Sequence, residues 1–112
     1  MNIEKIIDEW ISASNSYDTE RYLDFYNKNA VLNDPSVGKE FVGKKGIKDY
    51  FESYFIGYET QTKKVRLIIK DEYHAHLEVK FTGVFSEGQL GGIFDFTFKG
   101  DKIEQVNADL IL

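Results

Sequence analysis

The hydrophobic period of this chain changes once, near Thr60, from a helical to an extended pattern. Before that point, apolar residues recur at every third or fourth position in segments that begin near Ile3, Asp18 and Gly43. This spacing predicts three helices, the second capped by Asp18 and the third closed by Gly57. After Thr60, apolar and polar residues alternate in four runs separated by turns, which predicts antiparallel strands. Helices followed by such a sheet indicate an α+β domain.

The alternating pattern also assigns the strand side chains to two faces. The face expected to meet the helices is apolar and includes Val65 of the first run. The same face contains Phe81, Phe94, Phe96, Val106, Ala108 and Leu110. On the opposite face, the spacing of His74 and His76 permits a metal site with Asp95 or Asp109. Lysine and threonine on that face favour a surface that meets solvent or a partner subunit, so no metal is predicted.

Composition restricts the classes of function. A chain of 112 residues is long enough for one core, which predicts a single domain over residues 1–112. The net charge is -5 and no basic run can follow a phosphate backbone, so no nucleic-acid partner is expected. The chain has no cysteine, which excludes thiolate chemistry. Its first residues open an amphipathic helix and no apolar run has the length of a membrane span, so we expect a cytoplasmic protein without membrane contact.

Asp34 is the candidate catalytic residue, because it ends a short apolar run and precedes the one proline of the chain. Burial among apolar neighbours makes a carboxylate harder to ionise, which brings such a group into the range where a general base works. The alternative is a turn aspartate that caps the loop before Pro35. Aromatic residues make up 15% of the chain, more than a core this small needs. That excess indicates a lined cavity, an interface, or both.

Three segments around this aspartate resemble a known family. They are Tyr22-Leu23-Asp24-Phe25-Tyr26, Ala30-Val31-Leu32-Asn33-Asp34-Pro35 and Phe41-Val42-Gly43-Lys44-Lys45-Gly46-Ile47. Together with the order of elements, they resemble the SnoaL-like branch of the NTF2-like superfamily, which includes the ketosteroid isomerases. The resemblance covers essentially the whole chain. It implies an NTF2-like cone, in which three N-terminal helices pack on a curved antiparallel sheet that encloses a pocket, commonly in a homodimer.

The resemblance also implies roles for individual residues. In ketosteroid isomerase the aspartate before this proline moves a proton between carbons, and Asp34 matches it. Trp10 matches the oxyanion-hole tyrosine and can donate through its indole N–H, whereas Phe94 matches the second oxyanion donor and cannot donate. Asp34, Trp10 and Tyr26 form the candidate catalytic set, without a cofactor, although Trp10 and Tyr26 also suit an ordinary core. The candidate ligand-binding residues are Phe51, Tyr54, Phe81, Phe94, Phe96, Val106, Ala108 and Leu110.

Three functions remain open from the residues alone. The first is a small cofactor-independent isomerase, cyclase or hydrolase with Asp34 as general base. The second is a non-catalytic protein that binds a small apolar or aromatic ligand, and the third is a dimerisation module whose aromatic residues only pack. The acidic residue favours the first two. A homodimer is expected through the outward sheet face, which carries Thr82, Val84, Ile93, Thr97, Asn107 and Ile111.

Overall fold

Six strands form one curved sheet, and the helices pack on one of its faces. The computed structural model describes residues 1–111. In chain order the elements are α1 (Ile3–Asn15), α2 (Thr19–Asp24), β1 (Tyr26–Asp34), β2 (Lys39–Val42), α3 (Gly43–Phe51), β3 (Gln61–Ile69), β4 (His74–Thr82), β5 (Gln89–Lys99) and β6 (Lys102–Ile111). A 3₁₀ turn (Pro35–Val37) follows β1, and a π-helical turn (Glu52–Ile56) continues α3. Within residues 1–111, no helix is long and apolar enough to cross a membrane.

The first two helices begin where the sequence predicts. Asn2 caps α1 by accepting a hydrogen bond from the Lys5 amide at 3.1 Å. Asp18 caps α2 by accepting one from the Arg21 amide at 3.2 Å, which confirms the predicted cap. The buried apolar side of α1 consists of Ile3, Ile7, Trp10 and Ala13. By contrast, α2 has only six residues and buries one of them, Tyr22.

The predicted block of three N-terminal helices is wrong in its arrangement. The two long helices are α1 and α3, and the strands β1 and β2 lie between α2 and α3. The third helix begins at Gly43 as predicted, but its regular part ends at Phe51. From there the hydrogen bonds widen to the π spacing, and the Gly57 amide donates to the Glu52 carbonyl at 2.9 Å. Gly57 therefore closes the helical region, as predicted, at the end of a π turn.

The sheet is mixed, with the strand order β2-β1-β6-β5-β4-β3. β1 pairs in parallel with β6, and the other pairs are antiparallel. The prediction of a wholly antiparallel sheet is therefore wrong for one pair, and the sequence pattern did not identify β1 and β2 as strands. The cause is local: the register of β1 shifts between Tyr26 and Val31, which breaks the period of two, and β2 has only four residues.

One face of the central strands is buried, as the alternating pattern predicts. Leu77 of β4 pairs with Phe94 of β5, and Phe94 pairs with Ala108 of β6. All three side chains are buried. β3 departs from the pattern, because its register shifts around Val65 and that residue is 64% exposed. The predicted inward position of Val65 is wrong because a bulge turns its side chain to solvent.

Aromatic rings fill the space between the helices and the middle of the sheet. Trp10 packs edge-on against Phe94 and Phe96, with ring centroids 5.0 and 5.2 Å away. Tyr22 stacks on Phe51 with centroids 4.0 Å apart. All five side chains are buried. Because this middle layer is filled, the cavity that remains on this face lies at one end of the sheet.

Candidate functional site

A cavity of about 240 Å³ opens where β1, β4 and β6 end and β5 begins. Half of its described lining residues are aromatic: Tyr50, Tyr54, Phe55, Tyr58, Phe81 and Phe85. The aliphatic part is Val37, Leu90 and Leu110, and the polar part is Asp34, Ser36 and Thr60. Pockets for drug-sized molecules measure roughly 300–1,000 Å³. The cavity therefore suits a smaller ligand.

Among the described residues of that wall, Asp34 is the only one with a charge. It is the last residue of β1 and is 6% exposed. Its Oδ1 accepts hydrogen bonds from the Ser36 amide at 3.0 Å and from the Ser36 hydroxyl. Its Oδ2 accepts one from the Tyr50 hydroxyl at 2.8 Å. Since a carboxylate has about four acceptor positions, these three hydrogen bonds leave one position unfilled.

The geometry of Asp34 combines the two interpretations that the sequence left open. One oxygen caps the 3₁₀ turn that Pro35 begins, as a turn aspartate does. The other oxygen meets Tyr50 beside the cavity. One oxygen of Asp34 therefore has a structural role in the turn, and the other bonds to a second residue of the cavity wall.

Tyr50 is a hydrogen-bond donor whose proton is firmly held. Burial and the neighbouring Asp34 charge raise the pKa of Tyr50 well above its usual value. Its hydroxyl therefore stays protonated at neutral pH and donates to the carboxylate. Burial also raises the pKa of Tyr22 and the pKa of Tyr26.

These three tyrosines should make the fold sensitive to alkali. A tyrosine with a raised folded-state pKa stabilises the fold below its unfolded value of about 10 and loses this contribution as the pH rises further. We therefore expect the free energy of unfolding to fall above that pH, with Tyr22, Tyr26 and Tyr50 ionising only as the chain unfolds. Tyrosinate absorbance and circular dichroism, recorded in one pH titration, measure both events. Ionisation of all seven tyrosines while the dichroism stays native would contradict the burial of these three.

The π turn after α3 directs two rings to the cavity wall. The Thr60 amide donates to the Phe55 carbonyl at 2.8 Å, and the Thr60 hydroxyl donates to the Tyr54 carbonyl at 2.9 Å. A Cβ on Gly57 would lie 2.6 Å from the Ser53 carbonyl oxygen, so glycine is required there. These contacts hold Tyr54 and Phe55 in place. Such turns are frequent at functional sites.

Two glycines make room for other rings of the wall. A Cβ on Gly83 would lie 2.7 Å from the Phe85 ring and 2.8 Å from the Tyr58 carbonyl oxygen. Without that atom, the Phe85 and Tyr58 rings meet nearly at right angles, with centroids 6.3 Å apart. A Cβ on Gly92 would overlap the Phe81 ring. Both glycines therefore shape the cavity through the rings that they accommodate.

Four of the predicted site residues line the cavity: Asp34, Tyr54, Phe81 and Leu110. The other seven lie in the hydrophobic core: Trp10, Tyr26, Phe51, Phe94, Phe96, Val106 and Ala108. The strand pattern assigns the inner face correctly, but the cavity occupies only one end of that face. Among the strand residues, those that line the cavity and those in the core differ in their position along the strand. Periodicity does not encode that position.

Trp10 and Tyr26 bond to each other and not to Asp34. The Trp10 indole N–H donates to the Tyr26 hydroxyl at 3.0 Å, and that hydroxyl donates to the Tyr22 hydroxyl at 2.8 Å. The three side chains are buried. The indole donor that the resemblance assigns to an oxyanion hole is therefore engaged within the core.

Sequence reasoning did not select Tyr50, Tyr58, Thr60 or Phe85 as site residues. The missed signal was the recurrence of tyrosine at positions 50, 54 and 58, because residues four apart lie on one side of a helix. Hydroxyl-bearing rings on one such side suit a wall that is partly polar. Thr60 and Phe85 have no local signal, since tertiary contacts of the π turn and of the loop after β4 position them.

The outer face of the sheet carries a charged network around His76. Its Nδ1 lies 2.7 Å from Asp95 Oδ1 and its Nε2 lies 3.0 Å from Glu78 Oε2. These two carboxylates, Asp95 foremost, raise the pKa of His76. His74 instead contacts Asp71, at 2.9 Å. Among residues 1–111, no three His, Asp or Glu side chains converge as metal ligands.

The structure places the aspartate before proline beside a cavity on a curved sheet, and the resemblance implies such a pocket. The family model described as a SnoaL-like domain matches residues 7–106. The chain belongs to the SnoaL-like family. A comparison of this SnoaL-like domain with curated proteins finds no match.

Solved structures similar to this SnoaL-like domain share its fold at low sequence identity. A candidate polyketide cyclase from Sinorhizobium meliloti has a TM-score of 0.84 and 18% identity, with 93% of each chain covered. A second similar structure is that of SalBIII, an epoxide hydrolase/cyclase-like enzyme with a role in pyran ring formation in the polyether salinomycin. Its TM-score is 0.84 at 16% identity, with 97% of this chain and 90% of that chain covered.

A third similar structure contains a small molecule. It is a hypothetical protein from Catenulispora acidiphila with a ketosteroid isomerase-like fold, in complex with trimethylamine. Its TM-score is 0.80 at 11% identity, with 92% of this chain and 82% of that chain covered. At such identities, the three similarities establish the fold of this SnoaL-like domain and not its activity.

Proposed function

We propose that this SnoaL-like domain binds a small apolar or aromatic ligand whose one polar end faces Asp34. The observation that carries the proposal is a buried carboxylate with a free acceptor position, set in a wall of aromatic rings. Apolar walls supply contact area, and a few polar groups fix the orientation of a ligand. The related Catenulispora structure holds trimethylamine, which supports a small occupant.

The charge of the cavity favours neutral and cationic ligands over anions. None of the described lining residues is lysine, arginine or histidine. Lys39 pairs with Asp34 in the β1–β2 ladder, but its ammonium lies 5.2 Å from the centroid of the Phe41 ring. An anionic ligand would therefore meet the Asp34 carboxylate at low dielectric without a cation to offset the repulsion.

A thermal-shift screen with benzyl alcohol, benzylamine and benzoate tests this proposal, because the three compounds have similar shapes and different charges. We expect the alcohol and the amine to raise the melting temperature, since they bind the folded state, and benzoate to leave it unchanged. Stabilisation mainly by benzoate, retained in Asp34→Ala, would contradict the position assigned to the aspartate.

The second candidate is a cofactor-independent isomerase or cyclase with Asp34 as general base. The free acceptor position of Asp34 favours it, because a base must come within hydrogen-bond reach of the proton that it takes. The names of the Sinorhizobium protein and SalBIII give further support. Proton exchange at carbon in small cyclic ketones, followed by NMR in D₂O, tests this role. Equal exchange rates with the unmodified protein and Asp34→Asn would remove the catalytic role and leave ligand binding intact.

We propose in addition that the outer sheet face forms a homodimer interface. Ile93 is half-buried in the centre of that face, and Ile111 near one end is 47% exposed. The His76 network lies on the same face, so the surface is apolar and polar in parts, as specific interfaces are. Val84 lies in the loop beyond β4 and not on the strand itself.

Ile93→Glu is expected to dissociate this dimer, because it introduces a charge at the centre of the proposed interface. Tyr73→Glu, in the turn between β3 and β4 at a residue that is 49% exposed, is the control outside the sheet and should leave the dimer intact. Light scattering at concentrations on the order of tens of micromolar measures both variants. A monomer for the unmodified protein would contradict the proposed interface.

A further inference from the structure

The cavity indicates more about its ligand than a small size and the absence of a negative charge. We infer that the ligand carries a small alkylammonium group, held between Asp34 and an aromatic cage of Tyr54, Tyr58 and Phe85. All four residues line the same cavity. The inference rests on the proposed ligand-binding function and names the chemical class of its ligand.

Asp34 supplies the negative end of this site. Its three hydrogen bonds come from Ser36 and Tyr50, which are neutral donors. Within residues 1–111, no lysine, arginine or histidine forms an ion pair with it. Buried charges are usually paired, because an isolated one is costly to remove from water. A cationic ligand would provide the missing charge, and the net charge of -5 attracts cations to the whole molecule.

The aromatic cage supplies ring faces in more than one direction. Tyr54 and Tyr58 are inclined by 28° with centroids 6.5 Å apart, and Phe85 meets Tyr58 at 77° with centroids 6.3 Å apart. At these separations the rings contact one another and together form one aromatic wall, against which an alkylammonium group would lie. The face of an aromatic ring carries negative charge density and attracts alkylammonium ions. Tyr58 is 43% exposed, which places this part of the cage at the mouth of the cavity.

Other ligand classes match either the charge of the Asp34 carboxylate or the aromatic rings, but not both. A neutral molecule satisfies the rings but leaves the charge of Asp34 without a counter-ion. A hard metal ion takes six or more oxygen ligands, water included, and prefers several carboxylates. The wall offers one carboxylate, and the hydroxyls of Ser36, Tyr50 and Thr60 already donate to Asp34 or to the Tyr54 carbonyl. An alkylammonium ion uses both the carboxylate and the ring faces.

Isothermal titration with choline and with its neutral isostere 3,3-dimethylbutan-1-ol tests the inference. In the unmodified protein we expect choline to bind at least about tenfold more tightly. Asp34→Asn should bring the two affinities together. Tyr58→Leu should weaken choline about threefold and leave the alcohol unchanged. Tyr73→Leu, at a tyrosine that is 49% exposed and lies outside the cavity, is the matched control.

The outcomes show whether only the alkylammonium inference fails or the proposed ligand-binding function fails with it. Equal affinity for the two compounds, or tighter binding of the alcohol, overturns the alkylammonium group and leaves a small-ligand site in place. If neither compound binds while benzyl alcohol still stabilises the protein, the inference again falls alone. If no neutral or cationic probe binds, both proposals fall. Circular dichroism of each variant shows that it is folded, and Tyr58→Leu tests the cage should Asp34→Asn not fold.

Discussion

Replacing Trp10 with alanine is expected to lower the free energy of unfolding by about 3–5 kcal/mol. The indole is 1% exposed and packs edge-on against Phe94 and Phe96. Its loss leaves a void between helix and sheet, and it removes the donor that the Tyr26 hydroxyl accepts from. Since domains of this kind have total stabilities of about 5–15 kcal/mol, the effect is a large fraction of the whole. Urea unfolding followed by circular dichroism measures it.

Trp10→Phe is the control that separates packing from chemistry at this position. It keeps one aromatic ring and loses the second ring of the indole together with the N–H, so we expect a smaller loss of stability than in Trp10→Ala and an unchanged ligand affinity. Trp10→Ala with less than about 1 kcal/mol of destabilisation would contradict the core position of the indole. Loss of ligand affinity in a stable, folded Trp10→Phe would show that the indole reaches the ligand.

Asp34→Ala is expected to destabilise the fold by about 1–3 kcal/mol, because it leaves the buried Tyr50 hydroxyl and the Ser36 amide without their acceptor. Asp34→Asn keeps an acceptor oxygen and should cost less. Both variants should lose the preference of the cavity for cations, since both remove the charge. Thermal unfolding measures the stability effect, and titration with a neutral and a cationic probe measures the preference.

A double-mutant cycle with Tyr50→Phe identifies the contact responsible. When the Tyr50 hydroxyl is already absent, Asp34→Ala no longer leaves it without an acceptor and should cost less than in the unmodified protein. A coupling energy of about 0.5–3 kcal/mol is typical of groups in direct contact. Strictly additive effects would show that Tyr50 does not contribute to holding the carboxylate.

The regular helices and the central strands can be predicted from local sequence. The strands β1 and β2, at one edge of the sheet, cannot. The spacing from Ile3 to Trp10, the Asp18 cap and the alternation in β4 and β5 are local signals that matched the structure. β1 has no such signal, because its register shift breaks the alternation and its parallel partner β6 lies far away in the chain. The short strand β2 buries a single residue, Phe41, and a single residue has no period.

The candidate site also has parts that local sequence predicts and parts that it does not. Asp34 could be identified because its proline and its apolar run are adjacent in sequence. Trp10 and Tyr26 share the inward face with the site but lie deeper, and a periodic pattern reports the face of an element without the depth. In the third helix and the π turn that continues it, Phe51 packs on Tyr22 in the core, whereas Tyr50 and Tyr54, four residues apart on a neighbouring side, both line the cavity.

The central claim is that the cavity between Asp34 and Phe85 is the ligand site of this SnoaL-like domain. A crystallographic screen with small neutral, cationic and anionic fragments tests it most directly, because it locates bound molecules without assuming their chemistry. The account predicts that neutral and cationic fragments occupy this cavity, with the polar group of each within hydrogen-bond distance of Asp34. Fragments that bind repeatedly at the outer sheet face or elsewhere, with this cavity left empty, would contradict it.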